Sequence, residues 1–486
     1  MIRNYDVLFK LKYNLVICLL AFLPSIGFSQ NYEFKAGASL SNITPPLGLE
    51  IVGNWNSPPA DYVHDQLHAR TLVLDDGNTT LVFVLVDNVS IKREVFDAAI
   101  AIIENKLGVP SKNVMMAATH THSGTSAGKQ GMDRRGWQYG EPLDEYQRFL
   151  ATRIADGVEI ALANRVPAKV AWGGVDVPEH VFNRRWIMKE PVWSPLGFKD
   201  QAKMNPGVGN PDLVKPAGPI DPEVSFLAVE TKDGKPICVL GNYSLHYVGG
   251  VPKGHISADY FAIFGDRMQE LLDADRQDPP FVGIMSNGTS GDINNINFAG
   301  EREKNDPYFK MRYVANDVAE KVFDAYQTLE FNDYVTLGAA KSELKLKVRR
   351  ASKELLANME KVRNRPDSED PLFHSLEKTY AQRIHQLETT WPDEIDIILQ
   401  AFRIGDLGIA AIPFETFAET GLEIKDKSPF EDAFTIELAN GAYGYLPTPE
   451  QHKLGGYETW LGTNRVEENA TRKIVGELLE LFRSLQ

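Results

Sequence analysis

The hydrophobic positions of this chain follow two rhythms. Continuous apolar, β-branched runs such as TLVFVLVDNVS (80–90) and LGIAAIPFETF (407–417) predict strands buried on both faces, because a strand with one wet face alternates with polar residues. KNVMMAATHTH (112–122) and ICVLGNYSLH (237–246) read the same way. Elsewhere the apolar residues recur at helical spacing. EVFDAAIAIIENKLG (94–108) predicts a helix that stops at Gly108, and DEYQRFLATRIADGVEIALAN (144–164) predicts a second amphipathic helix. Residues 186–222 are rich in Pro and Gly and predict one long functional loop. Residues 351–398 predict a charged helical hairpin that turns at RNRPDSEDP. Strands and helices intermix with no internal repeat and no second linker. The expected fold is therefore α/β (mixed α+β), with mixed β-sheets flanked by helices. It forms one large domain over residues 30–486, with 351–398 as a helical insertion.

The first 29 residues stand apart from this pattern. Arg3, Lys10 and Lys12 precede LVICLLAFLPSIGF, an apolar run of 14 residues that is too short for a comfortable membrane span. GFS follows before Gln30. This predicts a signal peptide ending near residue 29, hence an exported protein, periplasmic or secreted, with no transmembrane segment in the mature chain. Cys18 lies in the apolar run behind Ile17, which is not the small residue a lipoprotein site wants. The mature chain would keep one cysteine, Cys238, read as a buried strand residue rather than a nucleophile. With no disulfide available, the core or a metal must hold the fold.

Composition changes the picture in two respects. With 486 residues, 43% of them hydrophobic, there is material for a large core. A net charge of −15 argues against nucleic acid and against an anionic membrane surface as partners.

The candidate chemistry starts at His120 and His122. On a strand, residues i and i+2 share a face about 6.8 Å apart. A pair of that kind is either two hydrogen-bonded histidines or the start of a metal site, and a metal site needs further ligands. His246 ends another strand-like run, Glu415 follows an apolar strand, and Tyr445 and Tyr457 lie in the Gly-rich segment 441–457. Taken singly, a solvated glutamate and packing tyrosines explain the last three equally well. No G-x-S-x-G is present, and GTSGD (288–292) misses that spacing, so Ser290 reads as a turn residue. An H-x-H pair also opens the metal site of barrel amidohydrolases, which would demand a TIM barrel.

Taken together, these segments resemble the neutral/alkaline non-lysosomal ceramidases. The carriers are SNITPPLG (41–48), ATHTHSG (118–124), NRR (183–185), NYSLH (242–246), SNGTSGDINN (286–295), PFETF (413–417) and YLPTPEQHKLGGYE (445–458), in the family's order. The likeness covers the family's catalytic, N-terminal domain, and no counterpart of its C-terminal immunoglobulin-like domain is expected here. The resemblance implies zinc held by His120, His246, Glu415 and Tyr445, with His122 as the catalytic histidine. It further implies Arg184 against the substrate and Tyr457 facing the scissile carbonyl. Nitrogen and oxygen ligands suit zinc, which activates water for attack on an acyl carbonyl.

Two departures bear on the substrate. The family's GD-x-S-P-N reads GDINNI, so Asn294, beside Asp292, stands in the serine's place as a substrate-binding candidate. Phe414 replaces a small residue before Glu415 and is expected, with Asn294, to narrow the pocket. The expected activity is zinc-dependent hydrolysis of an N-acyl bond in a small-molecule acyl substrate, a ceramide-like lipid or an acylated sugar. The alternatives are an esterase or deacylase on acylated sugars or glycans, and a decayed binding protein on the same scaffold.

Overall fold

The central strands are buried on both sides because two sheets stack face to face and helices cover the outer faces. The computed structural model describes residues 33–53, 56–125, 127–128 and 136–486. From Phe34 to Gln486 the chain is one compact unit. The N-terminal segment read as a signal peptide lies outside the described residues.

The larger sheet has eight strands in the order Val282–Asn287, Pro236–Tyr243, Glu223–Thr231, Val166–Asp176, Lys35–Asn42, His68–Asp75, Thr80–Val86, Val114–Ala118. Its interior pairs are antiparallel and its two outermost pairs are parallel. The second sheet orders Leu337–Lys347, Glu394–Ile404, Leu407–Ile412 and Asp432–Glu437, the last pair again parallel.

The run at 80–86 shows why no polar alternation was needed. Leu81, Phe83 and Leu85 face the second sheet, while Val82, Val84 and Val86 face the helices. Phe83 meets Phe402 across the inter-sheet layer, ring centroids 5.1 Å apart. At 407–412, Ile409 and Ala411 enter the inter-sheet layer, and Ala410 and Ile412 face outward to a second helical layer. Each large apolar side chain so buried contributes about 1.5–3 kcal/mol.

Helices Arg93–Leu107 and Glu145–Ala163 cover one half of the larger sheet, and Tyr260–Leu271 and Phe309–Tyr326 the other. Gly108 ends the first of these in the left-handed conformation, as its position predicted. Asp144 and Gln147 form a capping box on the second. Cys238 is buried in its strand with its thiol pushed up by burial. The described residues form no barrel, which removes the barrel amidohydrolase reading.

Two expectations need correction. Residues 186–222 are not one loop: Arg185–Trp193, Lys199–Met204 and Leu213–Pro216 form a three-stranded sheet. Pro191 hid the first strand from view, but it falls within an irregular stretch between Ile187 and Val192, where no ladder bond is required. The 351–398 segment does fold as two helices, Lys353–Asn364 and Glu377–Thr390, but its last residues belong to the strand Glu394–Ile404. The pair packs with helix Ala470–Arg483 on the outer face of the second sheet. Among the described residues no helix is long and apolar enough to cross a membrane.

Candidate metal centre and active site

Each of the three parallel strand pairs in the two main sheets delivers one cluster of polar residues beyond its carboxyl ends, where sites in mixed sheets concentrate. His120 and His122 follow Val114–Ala118, whose neighbour Thr80–Val86 leads to Asn88 and Val89. His246 follows Pro236–Tyr243, whose neighbour leads to Ser290 and Asp292. Glu415 follows Leu407–Ile412, whose neighbour leads to Tyr445. Glu415–Thr416 and Tyr445–Leu446 then pair again as a short parallel ladder.

The two histidines of the H-x-H do not sit on a strand. The strand ends at Ala118, and His120 takes a left-handed φ of 73° while its N–H donates to the Asn88 carbonyl. This turn brings the His120 and His122 Nε2 atoms to 3.2 Å. His120 and His246 Nε2 are 3.0 Å apart. Glu415 Oε2 lies 3.3 Å from the first and 3.9 Å from the second.

The tautomers follow from the outer bonds. His120 Nδ1–H donates to the Val89 carbonyl, and His246 Nδ1–H donates to the Ser290 carbonyl at 3.1 Å. Both Nε2 lone pairs are then left facing each other and a carboxylate, an arrangement that calls for a cation among them. A tetrahedral ion with bonds of ~2.0–2.1 Å holds its ligand atoms ~3.3 Å apart, so the donor set fits one. Burial, then His120 and Arg184, holds His246 well below the ordinary imidazole range, which keeps its lone pair available at neutral pH. Burial alone would raise Glu415, but His120, Tyr445 and Arg184 outweigh it and keep the carboxyl low.

Around these groups the support is specific. Ser290 donates to Glu437 at 2.7 Å, and the other oxygen of Glu437 accepts from Thr416 N at 2.6 Å. One buried carboxylate thus braces both the His246 and the Glu415 segments. Gly291 has to be glycine, because a Cβ there would meet the Glu415 carbonyl oxygen at 2.6 Å. His122 stacks on Tyr247, centroids 3.8 Å apart, and bonds the backbone of Gly53. Burial, His120 and Arg184 hold its ring well below the ordinary range. Arg184 donates to Tyr445 Oη at 3.0 Å and to Glu458 at 2.9 Å, and Glu458 also accepts from Arg185 at 2.6 Å. Tyr457 lies 5.6 Å from Tyr445, ring to ring.

These side chains floor a cavity of about 340 Å³ lined by His122, Arg184, Glu415, Tyr445, Tyr457 and Asn294, among others. Asn294 reaches it from a half-buried position and donates to Asn205 at 3.3 Å. Asp292 does not reach it. Its carboxylate is wholly buried, accepts from Asn183 at 2.7 Å and Ala418 N at 2.9 Å, and is pushed up to about 7 by burial. Its backbone carbonyl accepts from Arg184 N, so Asp292 places a site residue and does not line the cavity. Phe414 also departs from expectation. It points into the second helical core, 5.7 Å from Tyr443, and does not narrow the cavity.

Several participants carried no warning in the sequence reading. Tyr247 and Glu458 lie beside or inside the quoted segments and could have been found there. Glu437 sits at the end of a plain strand. Lys92, Arg383 and Arg465 line the same cavity from three distant segments.

The sequence profile described as neutral/alkaline non-lysosomal ceramidase, N-terminal, matches residues 34–307. The fold is similar to the crystal structure of neutral ceramidase from Pseudomonas aeruginosa, with a TM-score of 0.69 and 18% identity over 94% of this chain and 75% of that one. A ceramidase complexed with C2 is similar at 0.68 and 17%, over 93% and 75% of the two chains. No curated protein matches the chain by sequence.

Proposed function

The chain belongs to the neutral/alkaline non-lysosomal ceramidase family, and from that premise we propose that it is a zinc-dependent hydrolase of an N-acyl bond. The observation that carries this is the convergence of His120 Nε2, His246 Nε2 and Glu415 Oε2, at 3.0 and 3.3 Å, on one point beside Glu415, which lines the cavity. In this reading His120, His246, Glu415 and Tyr445 hold the metal. Zinc, when bound, supplies Lewis acidity and activates water for attack near neutral pH.

The chain's own residues do the rest. His122, held by Tyr247 and Gly53, carries a proton at Nε2 to the departing amine. The Tyr457 hydroxyl donates to the oxyanion that develops on the scissile carbonyl. Arg184, locked by Glu458, fixes Tyr445 and presents its remaining edge to the substrate. Asn294 hydrogen-bonds the substrate from the rim and needs no nucleophilic role. An N-acyl lipid is favoured over an acylated sugar, because one structural relative is a ceramidase complexed with C2.

The test is metal analysis of the purified protein together with hydrolysis of short-chain ceramides and N-acyl amphiphiles. About one zinc per chain and chelator-sensitive amide turnover support the reading; stoichiometric zinc with no acyl turnover overturns it. Export is part of the same proposal, and N-terminal sequencing of extracytoplasmic protein should find a start near Gln30.

A further inference from the structure

The cavity holds one hydroxyl that the mechanism above does not use. Tyr247 directly follows His246 and lines the cavity with His122, Asn294 and Tyr457. Its half-buried ring is stacked on the His122 ring, centroids 3.8 Å apart and planes 14° from parallel. Glycine backbones close in on both side chains. A Cβ at Gly53 would meet His122 Cγ at 2.7 Å, and one at Gly249 would meet Tyr247 Cε2 at 3.1 Å. The backbone that follows is fixed as well: the buried Asp259 carboxylate accepts from Val248 N at 3.1 Å and from Gly249 N at 2.8 Å. A tyrosine held this way has little freedom left to lose when its hydroxyl bonds a ligand.

Elsewhere in the fold, buried tyrosine hydroxyls are answered by the protein. Tyr146 donates to the Ile43 carbonyl, Tyr260 donates to the Leu245 carbonyl, and Tyr445 Oη accepts from Arg184, each at 3.0 Å. The Tyr247 hydroxyl has no protein partner among the described residues. Neither has Asn294 Oδ1, since that side chain uses only its Nδ2, toward Asn205 at 3.3 Å. The next residue ties the two segments together: Asn295 Nδ2 donates to the carbonyls of Tyr247 and Val248 at 3.0 Å each. A phenol that donates and accepts therefore shares one stretch of cavity wall with an amide oxygen that only accepts. A single ligand group that accepts from one and donates to the other answers both. An alcohol does this, whereas an amide N–H can only donate.

We propose that Tyr247, together with Asn294, binds an alcohol on the amine half of the substrate, which makes Tyr247 a specificity-determining residue for N-acyl amino alcohols. This rests on the hydrolase reading above and names the part of the substrate that is read. The side follows from His122, which in that reading protonates the departing amine and on which Tyr247 stacks; Tyr457 serves the carbonyl. The Tyr247 O–H donates to the alcohol oxygen, and the alcohol O–H donates to Asn294 Oδ1. A substrate with a methyl group in place of that alcohol leaves both protein groups unpaired, and a site built to bond a hydroxyl rejects such an analogue.

The experiment uses zinc-loaded full-length protein and two lauroyl amides, N-(2-hydroxyethyl) and N-propyl, which differ only by a hydroxyl in place of a methyl. In the wild type kcat/KM should favour the hydroxyethyl amide by about 10-fold. Tyr247→Phe keeps the ring and removes the hydroxyl. It should cut that preference by about 3–10-fold, the range of one neutral hydrogen bond, with zinc content unchanged. Asn294→Ala should cut the preference by a similar factor, which guards against a folding defect peculiar to the first variant. If Tyr247 only packs against His122, turnover of both amides falls together and the ratio stays put. That result overturns the proposal, as does a wild type that treats the two amides alike or prefers the propyl amide; both leave the hydrolase intact. If neither amide is turned over, the hydrolase reading falls, and calorimetric titration of the two amides still decides the role of Tyr247. A loss of affinity in Tyr247→Phe of about threefold or more for the hydroxyethyl amide relative to the propyl amide upholds it. Equal losses for the two amides, or no binding by the wild type, overturn it.

Discussion

The two ends of the cavity handle charge in opposite ways. At the metal end every charged or titratable group is answered by a protein partner: His120 by Val89, His246 by Ser290, Arg184 by Glu458. At the cationic end Lys92 and Arg465 have no such carboxylate among the described residues. The first region is finished within the fold apart from a single ion. The second holds its guanidinium groups against aromatic rings instead, Arg465 over Trp391 and Arg383 over Tyr380. Bracing by carboxylates and carbonyls marks groups that must hold still for chemistry.

The comparison can be broken most severely at the metal end. His246→Ala should remove zinc almost entirely and abolish turnover, as measured by metal analysis and amide hydrolysis; full occupancy in that variant would refute the ligand set. Next, His122→Ala should keep zinc and lose turnover by on the order of 10²–10⁴-fold, the range for a general acid–base group. Equal metal loss in both variants would instead make His122 a third imidazole ligand, which its 3.2 Å approach to His120 permits geometrically. A smaller effect should come from bracing. Ser290→Ala removes the link between His246 and Glu437 and should weaken zinc binding by about 10–100-fold, read by competition with a chelator.

The smallest effect concerns stability. Asp292 is pushed up to about 7 in the folded protein by burial, above the ordinary carboxylate value near 3.9. A raised folded-state pKa contributes stability that is complete below the unfolded value and is lost as pH rises through about 7. Thermal stability should therefore decline between pH 4 and 8, and Asp292→Asn should flatten that slope. An unchanged slope would show that Asp292 does not govern it.

The helices at 93–107 and 145–163 and the buried strands at 80–86 and 407–412 were all legible from apolar spacing. Each is decided by which faces of a local element are apolar, and this is a property of neighbouring residues. Cys238 was readable for the same reason: it sits in an apolar strand run and is buried. The strands within 186–222 were not, since their exposed positions are mostly polar and Pro191 interrupts the pattern. Asp292 and Phe414 lie next to site residues in the sequence, yet both point away from the cavity. Adjacency along a strand or turn does not specify direction once the backbone leaves regular geometry.

The sequence by itself determined the long helices and the buried strands, and it nominated the proposed metal-binding residues through short segments whose order could be read along the chain. Tertiary structure alone decided three further things. It brought His120 and His122 together through a left-handed turn rather than a strand face. It set Glu437 under both His246 and Glu415. It gathered Lys92, Arg383 and Arg465 from three separate segments into one recess. The physical reason is range. Spacing rules act over a helical turn or a strand pair, whereas the field in a cavity sums charges from every segment that lines it.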